Sequence, residues 1–510
     1  MLQGLVQGFG LLLSQPMAWL LLLIGMLAGT FIGVIPGLGG AVLLTMLLPF
    51  LYGMPVVPAI ALMLAAHASI YFSGSITAIL FNTPGAPESA ATTIDGYAMT
   101  KQGRAARALG VSATATTFGG WVGFVILVLI IPEMYLLVTL FHPPEYLMLA
   151  ILAVVLISQL KSASLTKGLL SGLFGLMLSL VGYDPVTGVQ RFSFDILSLY
   201  NGINISVVAL GLFAFSEMYY LYGANRAMAQ GVSVNFSRQP GARVWDGVRD
   251  VFSHVGLTIR SSLIGVLVGL VPGVGGVAGN FISYGQAMRT SKHPERFGQG
   301  TPEGIIAPEA SSLSKEAGSL VPAVALGVPG TVGMAVLMSA FTILGLVPGP
   351  TMLTHHLPLV FSMAWVLAIT SLFASLIGLF LAPVLARLTA VQGPVLVPFI
   401  FAFGMIGGYV STSDFVQTAA VVVLGVVGLV MKRLGYSLPG AIIGFILGRV
   451  AENNLYLTEQ IFGWKFIERP LTDLLVLIIL AVLVGPALSR RRGQRRTGGL
   501  APHRMEGAEG

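Results

Sequence analysis

The sequence has no cysteine among its 510 residues, which excludes disulfides, thiol catalysis and thiolate metal sites. Its seven histidines show no HExxH or comparable spacing, so no metal centre is expected. No G-x-x-x-x-G-K-[ST] loop is present to cradle a nucleotide phosphate. No His/Ser or paired-Asp motif points to an intramembrane enzyme; neither catalysis nor a cofactor is expected. Charge is scarce too. Only 9% of residues are Asp, Glu, Lys or Arg, against about 25% in a soluble domain. That is too few to cover a water-facing surface.

Apolar residues fill the gap, at 55%, and many runs approach or exceed the roughly 18 residues needed to span a bilayer. The reading is an all-α polytopic membrane protein with about 10–14 transmembrane or re-entrant helical segments in two inverted repeats. The 64 glycines suit close helix approach and bent backbone. The N-terminus lacks a basic n-region and reads as the first mature span. The net charge of +7 is concentrated in short loops and in RRRGQRR near the C-terminus, a positive-inside pattern rather than a nucleic-acid signal.

The two halves look alike. GVIPGLGG (33–40) returns as GLVPGVGG (269–276), and NTPG (82–85) returns in weaker form as GVPG (327–330). Two Pro-Gly breaks in the same order argue for an internal duplication. The expected division is a first repeat (1–222), a cytoplasmic linker (223–253), a second repeat with C-terminal spans (254–488) and a basic disordered tail (489–510). Lys and Arg are absent from residues 1–56, but Lys101, Arg104 and Arg107 follow NTPG; eight lie within 224–300, and none follows GVPG before Arg387. Equivalent loops thus carry swapped charge, which predicts inverted repeats, a periplasmic N-terminus and a cytoplasmic C-terminus.

Broken segments in corresponding positions are the sequence pointer to a transporter's binding site. Proline frees a carbonyl, and the glycines Gly37, Gly39, Gly40, Gly273, Gly275 and Gly276 permit a turn and expose amides. A helix restarting there turns its positive end to the break and suits a carboxylate. The competing reading is a packing hinge, since Gly33–Gly37 and Gly269–Gly273 are GxxxG spacings. In LFNTPGAPESAATTIDG (80–96), a hairpin turning at Pro84-Gly85 would offer the oxygens of Asn82 and Thr83 near its tip and place Ser89 on the following helix. Glu88 reads as a ligand or as an acid in a helix's first turn, and Asp95 as a loop residue. His67 either lines a path or packs between helices. In the second half, Pro329, Gly330 and Thr331 hold the matching place. Glu309 is the favoured acid for ion or proton coupling, with Asn82 and Thr83, and Lys315, beside Glu316, is placed to neutralise one of the acids Glu303, Glu309 and Glu316.

GVIPGLGG, AILFNTPGAPESAATTIDGYAMTKQGRAARALG, GLVPGVGG, PEGIIAPEA and LGVPGTVGMAVLMSAFTILGLVPGP together resemble the large membrane subunit of tripartite tricarboxylate transporters, the TctA-like family. The resemblance runs to about residue 488. It implies a multi-pass permease of the bacterial inner membrane that works with a small membrane subunit and a periplasmic solute-binding protein. It also implies import of tricarboxylates or dicarboxylates, coupled to Na+ or H+. The chain departs from the family pattern at Ser311-Ser312, where an Asn pair is frequent, and at Thr83 and Ala86-Pro87-Glu88 around the first Pro-Gly. An autonomous channel or carrier for another small solute is the alternative.

Overall fold

The computed structural model describes residues 2–35, 39–138, 140–158, 164–184, 186–223, 243–271, 276–388 and 393–497. The first half contains α1 (Leu2–Leu13), α2 (Pro16–Gly33), α3 (Gly40–Leu47), α4 (Val56–Phe81), α5 (Ala90–Lys101) and α6 (Ala105–Val138). There follow α7 (Pro143–Ser158), α8 (Leu165–Ser179), a two-residue ladder of β1 (Gly182–Tyr183) on β2 (Gln190–Arg191), α9 (Ile205–Ala209), a π-helical stretch (Leu210–Phe215) and α10 (Ser216–Gly223). The second half contains α11 (Val244–Ser253), α12 (Val255–Leu270), α13 (Gly276–Thr290), α14 (Glu303–Leu326), α15 (Val332–Ile343), α16 (Pro350–His355) and α17 (Leu357–Leu388). The chain continues as α18 (Gly393–Thr412), α19 (Phe415–Arg433), α20 (Leu438–Phe462) and α21 (Pro470–Thr497). The fold is all-α, as expected. Among the described residues, α2, α4, α6, α17 and α19 each carry a stretch long and apolar enough to cross a membrane, and the pair α11–α12, bent by 80°, could add one more.

Helices α4 and α14 form the centre. A helix apolar on every side has no face to offer water and becomes buried; accordingly Val57 to Leu80 of α4 are all buried. Gly304 to Ala325 of α14 are buried as well, although that helix carries Glu309, Lys315 and Glu316. Glycines bring a partner helix close to each. Gly25, Gly29 and Gly33 of α2 meet Leu62, Ala66 and Ile70 of α4 in rising order, so α2 runs parallel to α4. Gly265 and Gly269 of α12 meet Ser311 and Lys315 of α14 in the same sense. This is the small-xxx-small spacing that lets membrane helices approach.

After each break the chain turns back. Gly40, at the start of α3, lies beside His67, half-way along α4, so α3 runs back toward the beginning of that helix. Gly276, at the start of α13, lies beside Lys315; Asn280 reaches Ser311 and Ser312; and Arg260 of α12 donates to the Thr290 hydroxyl (2.7 Å), tying the hairpin's open end. The helix pairs α2–α3 and α12–α13 thus bring their adjoining ends to the middle of the central helices. The order recurs beyond them: α6 packs along α14 and α17 along α4, while α1 packs on α17 and α11 on α6. Arg107 pairs with Asp250 of α11 (2.6 Å), and Arg104 donates to the Gly300 carbonyl (3.2 Å), so basic residues gather where α6 begins. Helices α7, α8 and α18–α21 form an outer group with the π-helical stretch, and α3 and α15 touch both groups.

Of the expected linker, residues 224–242 lie outside the described residues; Val244–Ser253 are helical and pack on α6. In the expected tail, 489–497 continue α21 and 498–510 lie outside the described residues.

Candidate functional site

Both central helices end alike. Asn82 caps α4 at φ 57° and Gly327 caps α14 at φ 67°. This left-handed conformation favours Gly and tolerates Asn. The chain then doubles back, with the Gly85 N–H on the Gly74 carbonyl (3.1 Å) and the Val328 N–H on the Pro322 carbonyl (3.1 Å). Each Pro-Gly glycine is pressed onto the carbonyl of the last glycine before its own half's first break. A Cβ at Gly85 would strike the Gly33 oxygen, and one at Gly330 would come to 3.0 Å from the Gly269 oxygen. The two loops therefore meet the ends of α2 and α12 at mid-height.

A cavity of about 600 Å³ opens there, against the outer group. Its wall contains Gly39 and Gly40 at the start of α3, Gly276 at the start of α13, Thr331 and Gly333 at the start of α15, and Pro87 and Glu88 in the turn before α5. The first amides of a helix have no partner within it. Thr331 caps one of them, accepting from the Met334 N–H (3.2 Å), whereas Gly39 and Ala86 provide no capping side chain. Several positive helix ends thus face one space, an arrangement that favours an anion. His67 and Tyr71 of α4 supply polar groups on the central side, and Phe213, Tyr436 and the Glu217–Lys432 pair (2.6 Å) close the outer side.

Behind this wall lie two buried polar clusters. Glu316 accepts from the Lys315 ammonium (2.8 Å), the Ser319 hydroxyl (3.2 Å) and, in a short hydrogen bond, the Tyr71 hydroxyl; His67 Nε2 stands 3.2 Å away. Lys315 also lies over the Tyr71 ring (4.8 Å) and against Gly276. Charge is balanced here by an ion pair. Glu309 is different. It accepts from the hydroxyls of Ser75 (2.6 Å), Thr92 (2.5 Å) and Thr116 (2.8 Å), and among the described residues no cation pairs with it. An unpaired carboxylate in a dry interior is costly, so this place suits a bound proton or cation.

The structure brings Gly39, Gly40, Gly276 and Thr331 to the cavity wall. Gly37, Gly273 and Gly275 lie outside the described residues. Pro84, Gly85, Pro329 and Gly330 shape the two loops behind the wall. The Ser89 hydroxyl lies 3.0 Å from the Ser75 hydroxyl and so joins the Glu309 cluster. Asn82 and Thr83 sit at the end of α4, away from the cavity wall, with the Thr83 hydroxyl on the Phe81 carbonyl (3.2 Å). Asp95 is not in a loop. It is buried within α5 and accepts from Tyr284 (2.9 Å) and the amides of Gly298, Gly300 and Thr301. Tyr71, Thr116 and Gly333 went unnoticed in the sequence. Tyr71 had one usable signal, its i+4 spacing from His67.

The profile described as the tripartite tricarboxylate transporter TctA family matches residues 19–443, which include both breaks, both Pro-Gly loops and the whole cavity wall. The chain belongs to the TctA family. An uncharacterized 52.8 kDa protein of the TAR-I ttuC' 3' region of Agrobacterium vitis is 30% identical over 479 residues, covering 92% of this chain and 93% of that protein. A second uncharacterized protein, of the TAR-II ttuC' 3' region of the same organism, is 29% identical over 238 residues, covering 45% of this chain and 98% of its own length. No solved structure matches. For a TctA-family chain, the cavity with its helix starts is the place to look for solute.

Proposed function

We propose that this chain is the permease subunit of an ion-gradient-driven, binding-protein-dependent importer of organic carboxylates, of the tricarboxylate or dicarboxylate class, in the bacterial inner membrane. The observation that carries the reading is the convergence of helix starts from both halves on one cavity of about 600 Å³. A carboxylate can take the first amides at the starts of α3, α13 and α15, while the Lys432 ammonium of the wall is paired with Glu217. Glu309, set among three hydroxyls, is the coupling group for Na+ or H+; Asn82 and Thr83 cap the helix whose Ser75 contacts it. The two halves act as inverted repeats, and transport is movement of one group of helices against the other. A small membrane subunit and a periplasmic binding protein complete the system, with the N-terminus periplasmic and the C-terminus cytoplasmic.

The test is uptake of a labelled carboxylate panel by proteoliposomes containing this chain, its small subunit and its binding protein under an imposed Na+ or H+ gradient. Uptake that needs both gradient and binding protein supports the reading. Uptake independent of the binding protein refutes the tripartite element and favours an autonomous carrier or channel. Reporter fusions at the two ends check the orientation.

A further inference from the structure

One acid in the cavity wall has no salt bridge among the described residues. Glu88 stands in the turn before α5, and its side chain lies against the start of α13, where a Cβ at Gly276 would come to 2.9 Å from Glu88 Cγ. The backbone of Glu88 is fixed, since Asn280 Nδ2 donates to its carbonyl (2.8 Å). Its carboxylate is within salt-bridge reach of no cation among the described residues, and the cations nearby are committed elsewhere: Lys315 to Glu316 (2.8 Å) and Lys432 to Glu217 (2.6 Å). The other acids of this region are satisfied, Glu309 by hydroxyls and Asp95 by amides. Of the two acids in the cavity wall, Glu217 is paired with Lys432, whereas Glu88 forms no salt bridge among the described residues; the Lys315 ammonium meets the same point at Gly276 but is held by Glu316, so Glu88 brings a carboxylate to the space that the starts of α3, α13 and α15 make favourable for an anion.

A simple carboxylate bound at those helix starts would meet like charge at Glu88. A ligand with charges of both signs meets opposite charge at each end. We propose that the cavity takes a carboxylate that also bears a cationic amine, the chemistry of an amino acid, with its carboxylate at the helix starts and its ammonium at Glu88. The proposal rests on the carboxylate reading above and narrows it to a zwitterionic class. The same cation position could be filled by an inorganic ion, so the experiment separates the two sources.

Binding is measured by calorimetry on the full chain, purified with its small subunit, using the matched pairs glutamate and glutarate, and aspartate and succinate, with citrate as reference, in sodium and in potassium buffer. The amino-bearing member of each pair should bind about 10-fold tighter or more, the usual size of a charge-assisted contact. Glu88→Gln should erase that preference, leave glutarate binding equal or stronger, and keep the wild-type unfolding midpoint, because no side chain among the described residues donates to its carboxylate and the Asn280 contact is to its backbone carbonyl. Equal binding of the two members, or binding of citrate or the plain diacids without preference for the amine, overturns the zwitterionic class and leaves the carboxylate reading intact. A sodium requirement that disappears in Glu88→Gln without any amine preference assigns the position to the metal ion and also overturns it. Failure of every ligand, citrate included, overturns both readings.

Discussion

Replacing Gly85 with alanine should cripple the protein through a single methyl group. That methyl would collide with the Gly33 carbonyl oxygen, stand 2.8 Å from Thr77 Oγ1 and stand 2.9 Å from Gly74 Cα. Two of these three atoms are backbone of closely packed helices, so no rotamer change relieves the contact. Overpacking a buried site by a methyl or methylene costs about 1–3 kcal/mol, and three simultaneous clashes place Gly85→Ala near the upper end. Gly330→Ala is milder, with nearest approaches of 2.8 Å to Ser319 Cβ and 3.0 Å to the Gly269 oxygen, or about 1–2 kcal/mol on the same scale. Gly285, inside α13, has nothing within 4 Å, and alanine there should stabilise by up to about 1 kcal/mol through helix propensity. Thermal-unfolding midpoints in one detergent should therefore fall in the order Gly285→Ala, wild type, Gly330→Ala, Gly85→Ala. Uptake should decline in step for the last two, and leucine at position 85 or 330 should abolish it while the protein still inserts. A Gly85→Ala variant with the wild-type midpoint and uptake rate would refute the claim that this loop is pinned on Gly33.

Three further outcomes are expected. Lys315→Met strips Glu316 of its ammonium partner and should destabilise by about 3–5 kcal/mol; combining it with Glu316→Gln should restore most of the loss, as a double-mutant cycle of unfolding midpoints would register. Glu309→Leu removes the acceptor of three buried hydroxyls, about 1–3 kcal/mol each, whereas Glu309→Gln should fold but transport at the same rate with and without an ion gradient in proteoliposomes. In the 182–204 loop, the amides of Thr187 and Val186, then Tyr456 and Arg191, hold the Asp184 carboxyl down to about 2. A depressed carboxyl stabilises above its unfolded value of about 3.9 and loses that contribution as pH falls toward 2. Hydrogen exchange in this loop should therefore rise across that window, beyond its intrinsic pH dependence, and Asp184→Asn should remove the transition.

The breaks were legible because Pro-Gly and small-xxx-small spacing are local signals, and their recurrence pointed to the pairing of two hairpins. Glu309 was legible as an acid in an apolar run, but its three partners come from 193 to 234 residues away, and no local pattern announces them. Asp95 was misread because an acid before a basic loop looks solvated, whereas the amides of residues 298–301 fold over it. In the sequence the oxygen of Asn82 suggests a ligand; its left-handed φ adds a second reason for Asn at a helix end. The outer helices had no motif at all, and their contribution of Tyr436, Lys432 and Phe213 to the cavity wall is purely tertiary.

The cross-pairing of the clusters has a consequence for synthesis. His67 and Tyr71 find Glu316 only after a further 249 and 245 residues have been made. At about 5–20 residues per second that is a wait of roughly 12–50 s. Throughout it, the first half holds a tyrosine, a histidine and several hydroxyls in its apolar centre without their later partners. Synthesis arrested before α14 should therefore leave a first half that membrane proteases degrade faster than the same half with α14 added, as a pulse-chase of truncated chains would register.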